Sequence, residues 1–341
     1  MRKETEAVHV GIDKDETYLS RRTVRLSVGI EHPDDLLEDL ERALGAQMAA
    51  TTSASRRTQA AIHVEDLTYA YGDLVAVDGI SFQVAAGEVL GFLGPNGAGK
   101  STIIKVLTGQ LNPRSGSARI LSQDVGRDRP EVQARIGVCF EEKNLYLNMS
   151  GRENLRFFAR LFGMPRFDPD PLLVRVGLAE RGGDRVRSYS KGMRQRLMVA
   201  RTLVNHPDVL FLDEPTDGLD PVSARTIRDI IREEAARGAA VLLTTHDMWE
   251  ADELSDRVAF INEGRIAALD TPENLKLQYG QRRVKVRTRV RGEIQEELIT
   301  LDDPEAGERL RAAASQDLLT IHTEEATLEQ IFIRLTGRGL Q

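Results

Sequence analysis

One eight-residue pattern limits what this chain can fold into more than any other feature: Gly94-Pro95-Asn96-Gly97-Ala98-Gly99-Lys100-Ser101, of the form GxxxxGK(S/T), followed by Thr102. An apolar run, Val89–Leu93, precedes it, and an amphipathic stretch, Thr102–Leu107, follows. Strand, glycine loop and helix in that order predict an α/β fold with a largely parallel core sheet. Gly94, Gly97 and Gly99 allow the backbone to wrap a polyphosphate with its N–H groups turned inward. The helix start adds the positive end of its dipole. Lys100 is a point charge for the β- and γ-phosphates, and the Ser101 hydroxyl is a ligand for Mg²⁺. Alone, the loop implies a nucleoside triphosphate and leaves GTPase, kinase and ATPase open.

A second apolar run, Val209–Leu212, ends in Asp213 and Glu214. A buried strand of this kind aims its terminal carboxylates at the sheet edge where ligands bind in α/β folds. Asp213 is the candidate Mg²⁺ ligand, directly or through water. Glu214 is the candidate general base for the attacking water. Both roles need a γ-phosphate nearby, which the glycine loop supplies.

The rest of the chain narrows the class. Its 341 residues suggest two domains. A net charge of −7 argues against a protein that holds nucleic acid mainly by neutralising phosphates. Cys139 is the single cysteine, which excludes an intrachain disulfide and a Cys-rich zinc site and fits a reducing compartment. No apolar run approaches the ~18 residues a membrane span needs. The first residues have no secretory pattern. If the protein acts at a membrane, another chain must cross it.

Composition divides the chain into residues 1–49, a small polar linker at 50–60, a central block at 61–280 and a terminal block at 281–341. In the last, Arg283–Val290 alternates Val284, Val286 and Val290 with Lys285, Arg287 and Arg289, a half-buried strand with a solvated basic face. A charged helix (Pro304–Ala314), a strand (Leu318–His322) and a helix (Leu328–Leu335) are expected after it.

Between the glycine loop and the second acidic strand's end lies Tyr189-Ser190-Lys191-Gly192-Met193-Arg194-Gln195-Arg196. With it the sequence resembles the ATP-binding subunit of ATP-binding-cassette (ABC) transporters, whose signature reads LSGGQ followed by QxR. Ser190 and Gly192 match; Tyr189, Lys191 and Met193 depart. The SKGMRQR form resembles the bacterial branch that energises drug, antibiotic or sodium exporters. The resemblance runs from about Ile62 to the end. It implies a P-loop NTPase domain with a helical subdomain and a small C-terminal α/β extension. It also implies ATP and Mg²⁺ as cofactors, and hydrolysis coupled to export. Its expected partners are a separate membrane permease and a second copy of the chain or a homologous subunit. Its expected place is the cytoplasmic face of the cell membrane.

Residue by residue, the resemblance makes Ser190, Lys191, Gly192 and Met193 the element that meets the γ-phosphate held by the other protomer. Tyr71 is the aromatic that stacks on adenine, with Tyr69 its rival. His246, in Thr244-Thr245-His246-Asp247, is the histidine that contacts the γ-phosphate and positions Glu214. Asp217, Gly218, Leu219 and Asp220 are the loop that crosses the dimer seam. Where the family usually has a glutamine that senses Mg²⁺ and water, this chain has Glu141, which can still accept from a metal-bound water but cannot donate as an amide does. Lys143–Met149 and a helix at Glu153–Phe162 are the expected docking segment for the membrane subunit.

Other classes leave distinguishable traces. A soluble ABC-type ATPase of DNA repair or translation usually carries a coiled-coil insertion or two cassettes, and neither is present. A GTPase lacks its Asn-Lys-x-Asp element here. Thr23–Leu44, with Arg25, resembles the C-terminal end of the cystathionine γ-synthase/γ-lyase family of pyridoxal-phosphate enzymes. It comes without the cofactor core or Schiff-base lysine, so it is expected to be a fused remnant with no pyridoxal chemistry.

Overall fold

The computed structural model describes residues 60–140, 145–281, 283–290, 292–324 and 326–337. The strands are β1 (Ala60–Tyr71), β2 (Leu74–Ala85), β3 (Val89–Leu93), β4 (Ser115–Ile120), β5 (Gln123–Asp124), β6 (Ile136–Cys139), β7 (Val209–Asp213), β8 (Ala240–Thr245), β9 (Arg257–Asn262), β10 (Arg265–Asp270), β11 (Arg283–Val290), β12 (Glu293–Thr300) and β13 (Asp317–Glu324). The helices are α1 (Lys100–Leu107), α2 (Arg129–Arg135), α3 (Gly151–Leu161), α4 (Asp170–Arg175), α5 (Lys191–Thr202), α6 (Pro221–Arg237), α7 (Met248–Leu254), α8 (Pro272–Tyr279), α9 (Ala306–Ala314) and α10 (Leu328–Thr336).

Every residue of β3, β7 and β8 is buried. Such continuous apolar runs belong in a sheet covered on both faces, and these three lie at the centre of a six-stranded sheet ordered β10-β9-β3-β8-β7-β6. β6, β7, β8, β3 and β9 run parallel, and β10 closes the edge antiparallel to β9. Parallel strands all end on one side, so β3, β7 and β8 deliver the phosphate loop, the acid pair and His246 to the same edge.

A second sheet, β2-β1-β4-β5, is antiparallel. Ile62, Val64, Leu67, Ile80, Phe82 and Val84 of β1 and β2 share one apolar cluster with Ile103, Ile104 and Leu107 of α1. Helix α1 is thus packed against the antiparallel strands as well as Phe92 and Phe211 of the parallel sheet, which fixes the direction of its N-terminus. On the other side, Leu155, Leu173, Val176 and Leu197 of the helical part pack with Leu210, Leu212 and Leu243. Helix α3 begins at Gly151, not at Glu153, because Ser150 and Glu153 form a reciprocal capping box that fixes the first turn.

The terminal block contains a three-stranded sheet, β12-β11-β13. Val284, Val286 and Ile299 on one face pack against Ala306 and Ala313 of α9. The cations of the opposite face are paired: Lys285 and Arg287 with Glu296 at 2.6 and 2.8 Å, and Arg289 with Asp317 at 3.7 Å. The final helix α10 leaves this sheet and packs on α7 and α8. Its Phe332 meets Phe260 edge-on at 5.5 Å, in a cluster that includes Leu93 just ahead of the phosphate loop. Among the described residues no helix is long and apolar enough to cross a membrane.

Candidate functional site

The phosphate loop is a backbone crossing with no room for side chains at its base. Gly99 has φ +106°, and a Cβ there would lie 2.4 Å from the Ala76 carbonyl oxygen. The loop is tied down by the Gly264 N–H, which donates to the Ala98 carbonyl at 3.0 Å. Gly94, Ala98 and Gly99 are buried and Pro95 is half-buried, while Asn96 and Gly97 form an exposed tip. Lys100, the first residue of α1, is 6% exposed. Its ammonium donates to the Gly94 carbonyl and lies 3.4 Å from Glu214 Oε1. Ser101 and Thr102 follow on the first turn, half-buried.

The acid pair is set by its neighbour strand. Asp213 is 3% exposed and accepts from the Thr244 hydroxyl at 2.5 Å. Glu214 has φ +47°, left-handed backbone that an L residue holds only at a cost on the order of 1 kcal/mol. Its N–H donates to both the Thr244 carbonyl and the Thr244 hydroxyl at 3.1 Å, which offsets that cost. The turn directs the Glu214 carboxylate back toward Lys100. His246 completes the group, with Nδ1 2.9 Å and its backbone N–H 3.3 Å from Glu214 Oε2. Its Nε2 faces Asp217 Oδ1 at 3.8 Å.

Sequence pattern alone does not single out Thr244. It is a small hydroxyl residue at the end of an apolar strand, two residues before His246, and only the pairing of β7 with β8 shows that it holds both acids.

Ser190 is the N-cap of α5, and its oxygen accepts from the Met193 N–H at 3.2 Å. Ser190 and Lys191 are exposed, Met193 half-buried and Gly192 buried. A Cβ on Gly192 would stand 2.5 Å from Ser223 Oγ and 3.0 Å from Asp220 Oδ2, so only glycine lets the signature turn lie on the start of α6. Asp220 caps α6 by accepting from the Ser223 N–H at 2.9 Å, and that bond holds its carboxyl below the usual range. Asp217 and Gly218 are exposed and Leu219 half-buried. Lys191 Nζ lies 3.8 Å from Asp217 Oδ2, so signature and seam loop form one unit within the chain. Among the described residues, no hydrogen bond joins Ser190 to Lys100, Glu214 or His246.

Tyr71 ends β1 at 46% exposure, whereas Tyr69 packs against the core; their rings meet edge-on at 4.9 Å. Glu141 lies outside the described residues, as do residues 142–144 and residues 1–59 with the pyridoxal-like segment. Beside β6 and α3 is a groove of about 770 Å³ lined by Phe140, Leu145, Tyr146, Phe158, Phe162 and Arg201. The Arg201 guanidinium stands 4.7 Å over the Phe158 ring. Cys139 is buried and plays no part in the site; loss of solvent pushes its thiol up to about 12.

No group of three or more His, Cys, Asp or Glu able to hold a metal is present among the described residues. One buried carboxylate and one helix-start hydroxyl suit Mg²⁺, which keeps most of its ligands as water and phosphate oxygen. They do not suit a cation that needs a protein cage.

Fold and site define a phosphate-loop nucleoside triphosphatase. Comparison with known proteins makes the class specific. The ABC transporter family matches residues 77–217. The "Fluoroquinolones export ATP-binding protein" of Mycobacterium tuberculosis is 47% identical over 286 residues, covering 82% of this chain and 94% of that one. The "Nod factor export ATP-binding protein I" of Paraburkholderia xenovorans is 40% identical over 83% of this chain and 99% of its own length. The "Daunorubicin/doxorubicin resistance ATP-binding protein DrrA" of Streptomyces peucetius is 36% identical over 81% and 92%. A solved "ATP binding subunit of ABC transporter" superposes with TM-score 0.60 at 30% identity, over 64% of this chain and 93% of its own. The chain belongs to the ABC transporter family, as an ATP-binding and ATP-hydrolysing component. These relatives give no support to the pyridoxal-enzyme resemblance of residues 1–49.

Proposed function

We propose that two copies of this chain, or this chain and a homologous subunit, close head to tail around two MgATP and so drive export through a separate permease. The observation that carries this reading is the division of the site. Lys100, Glu214 and His246 converge at one sheet edge, while Ser190 is exposed on a helix tip and, among the described residues, bonds within its own turn. One chain thus offers half of two sites.

In this reading the loop amides and Lys100 hold the β- and γ-phosphates, and Tyr71 stacks on adenine. Ser101 and Asp213, with Glu141, would hold Mg²⁺, which when bound neutralises phosphate charge and draws electrons from the γ-phosphorus. Glu214 accepts a proton from the attacking water. The His246 imidazole holds the carboxylate in place and contacts the γ-phosphate. Ser190 to Met193 of the partner close over that phosphate, and Asp217 to Asp220 cross the seam. Catalysis is then mostly positioning and charge neutralisation.

The aromatic groove beside α3 is the docking site for the permease, which places the chain at the cytoplasmic face of the membrane. Residues 61–280 form the nucleotide-binding domain, 281–341 an accessory α/β domain and 1–49 a fused segment joined by the linker 50–60. Cargo is selected by the permease; the fluoroquinolone exporter's name supports a small drug-like compound.

Light scattering of the full chain tests the reading. With hydrolysis blocked by Glu214→Gln, MgATP should convert monomer to dimer, and Ser190→Ala should weaken that conversion. If no pairing occurs with ATP, even in the presence of its permease, the proposal fails.

A further inference from the structure

Beside Glu214 and His246 lies a carboxylate with no part in the chemistry so far. Glu250, in the first turn of α7, is 1% exposed. Asp247 caps that helix by accepting from the N–H groups of Trp249 and Glu250 at 3.0 and 3.1 Å, which turns Glu250 inward beneath the two loops. The Thr216 hydroxyl donates to Glu250, 2.7 Å from each carboxylate oxygen. The Thr245 hydroxyl lies 3.2 Å from Oε2 and donates there, because its own oxygen already accepts from the Asp247 N–H at 3.0 Å. Arg228 stands 3.9 Å from Oε1 and is braced 5.0 Å over the Trp249 ring. Burial, with a smaller push from Asp247, holds the Glu250 carboxyl above the usual range, and the two hydroxyls and Arg228 oppose this only in part.

The two donors sit at telling positions. Thr216 is two residues beyond Glu214, in the turn after β7, and Thr245 immediately precedes His246 at the end of β8. One backbone bond, from the Glu214 N–H to the Thr244 carbonyl, continues the pairing past β7; among the described residues no backbone bond ties Thr216 to the loop after β8. We infer that Glu250 is a positioning residue: its carboxylate clasps the loop carrying Glu214 to the loop carrying His246 and so keeps their 2.9 Å contact. It does this without touching nucleotide. Thr244 fixes the Glu214 backbone from one side, and the Thr216–Glu250 bond fixes the turn from the other. This inference rests on the reading of Glu214 as general base and His246 as its support. Substitutions that release the clasp should shift reacting groups by a fraction of an ångström to an ångström, a displacement that costs turnover up to about 100-fold.

The test uses the full chain with Glu250→Gln, Thr216→Val, Thr216→Ser, the double variant Glu250→Gln/Thr216→Val, and Glu214→Gln as control. Glu250→Gln keeps the volume but presents an NH₂ where two hydroxyls donate. Thr216→Val keeps the shape and removes one donor. Each should lower kcat roughly 10- to 100-fold while KM for ATP stays within about threefold. Thr216→Ser, which retains the hydroxyl, should recover most of the rate. The double variant should be no slower than the slower single, because both remove one contact. Native turnover in both singles, equal losses in kcat and ATP affinity, or multiplicative losses in the double would overturn the inference. Should Glu250→Gln not fold, Thr216→Val reads the same contact from the other side. If Glu214→Gln itself turns over normally, the general-base reading fails; if it is inactive while Glu250→Gln and Thr216→Val are fully active, the clasp alone fails.

Discussion

Replacing Glu214 by Gln separates what the carboxylate does for the fold from what it does for turnover. Its Oε1 faces Lys100 and its Oε2 faces His246 Nδ1. Gln can keep its oxygen toward the Lys100 ammonium and turn its NH₂ toward the imidazole, provided the ring presents Nδ1 as acceptor, but that NH₂ cannot accept from the His246 N–H, whose 3.3 Å bond is lost. The φ +47° turn is held by backbone and Thr244 contacts that the substitution leaves intact. The structural cost is therefore the weakening of two charge-assisted contacts and the loss of one longer one, about 2–3 kcal/mol in total. The kinetic cost is of another size. An amide cannot take a proton from water, and a general base is worth about 10²–10⁴ in rate, or roughly 2.7–5.4 kcal/mol of barrier. Removing a negative charge beside a polyphosphate site should leave ATP affinity unchanged or improved. Phosphate release under multiple turnover, with equilibrium nucleotide binding and thermal melting measured in parallel, resolves the three quantities. Turnover within threefold of native, or a loss of ATP binding as large as the loss of rate, would refute the assignment of Glu214.

Three further outcomes are expected. Phe332→Ala removes a fully buried ring against Phe260 and should cost about 3–5 kcal/mol, lowering Tm by roughly 6–20 °C; a fall under about 3 °C would show that α10 does not brace the core. The Asp220 carboxyl is held below its unfolded value of about 3.9, so its stabilising effect is present above that pH and lost as pH falls through the lowered folded value. Asp220→Asn, which still caps, should therefore be less stable than native at pH 7 and equal to it in strong acid, as read by chemical denaturation at the two pH values. Cys139, buried with its thiol at about 12, should react with thiol reagents only after denaturant is added; rapid labelling of the native chain would contradict its burial.

Much of the nucleotide-binding framework is legible in the sequence because its signals are local. The run Val89–Leu93 is β3 as read, and Val209–Leu212 gains only Asp213. Helix α1 begins two residues ahead of the expected Thr102, since Gly99 serves as its cap and Lys100 already has helical backbone. Strand β12 leaves no such trace, because its residues Glu293–Leu298 are all exposed and carry no apolar alternation to detect. The antiparallel sheet β2-β1-β4-β5 is hidden as well: β1 and β2 carry register shifts that break a simple period of two. The basic stripe of β11 stays exposed to solvent, and what the sequence does not show is that Glu296 and Asp317 come from neighbouring strands to pair with it.

By itself the sequence determined the chemistry available: a glycine loop with Lys100, an acid pair closing a buried strand, a serine-capped helix and a histidine after another strand. These are statements about residue type and spacing along the chain, where steric and electronic character act over a few bonds. Only the tertiary structure decided which groups meet. Parallel pairing of β3, β8 and β7 brings Lys100, His246 and Glu214, far apart in sequence, to one edge, and strand order is set by packing over the whole core rather than by any local signal. The same pairing gave Thr244 and Glu250 their partners, because a hydroxyl or a buried carboxylate acquires a role only from what the fold sets against it.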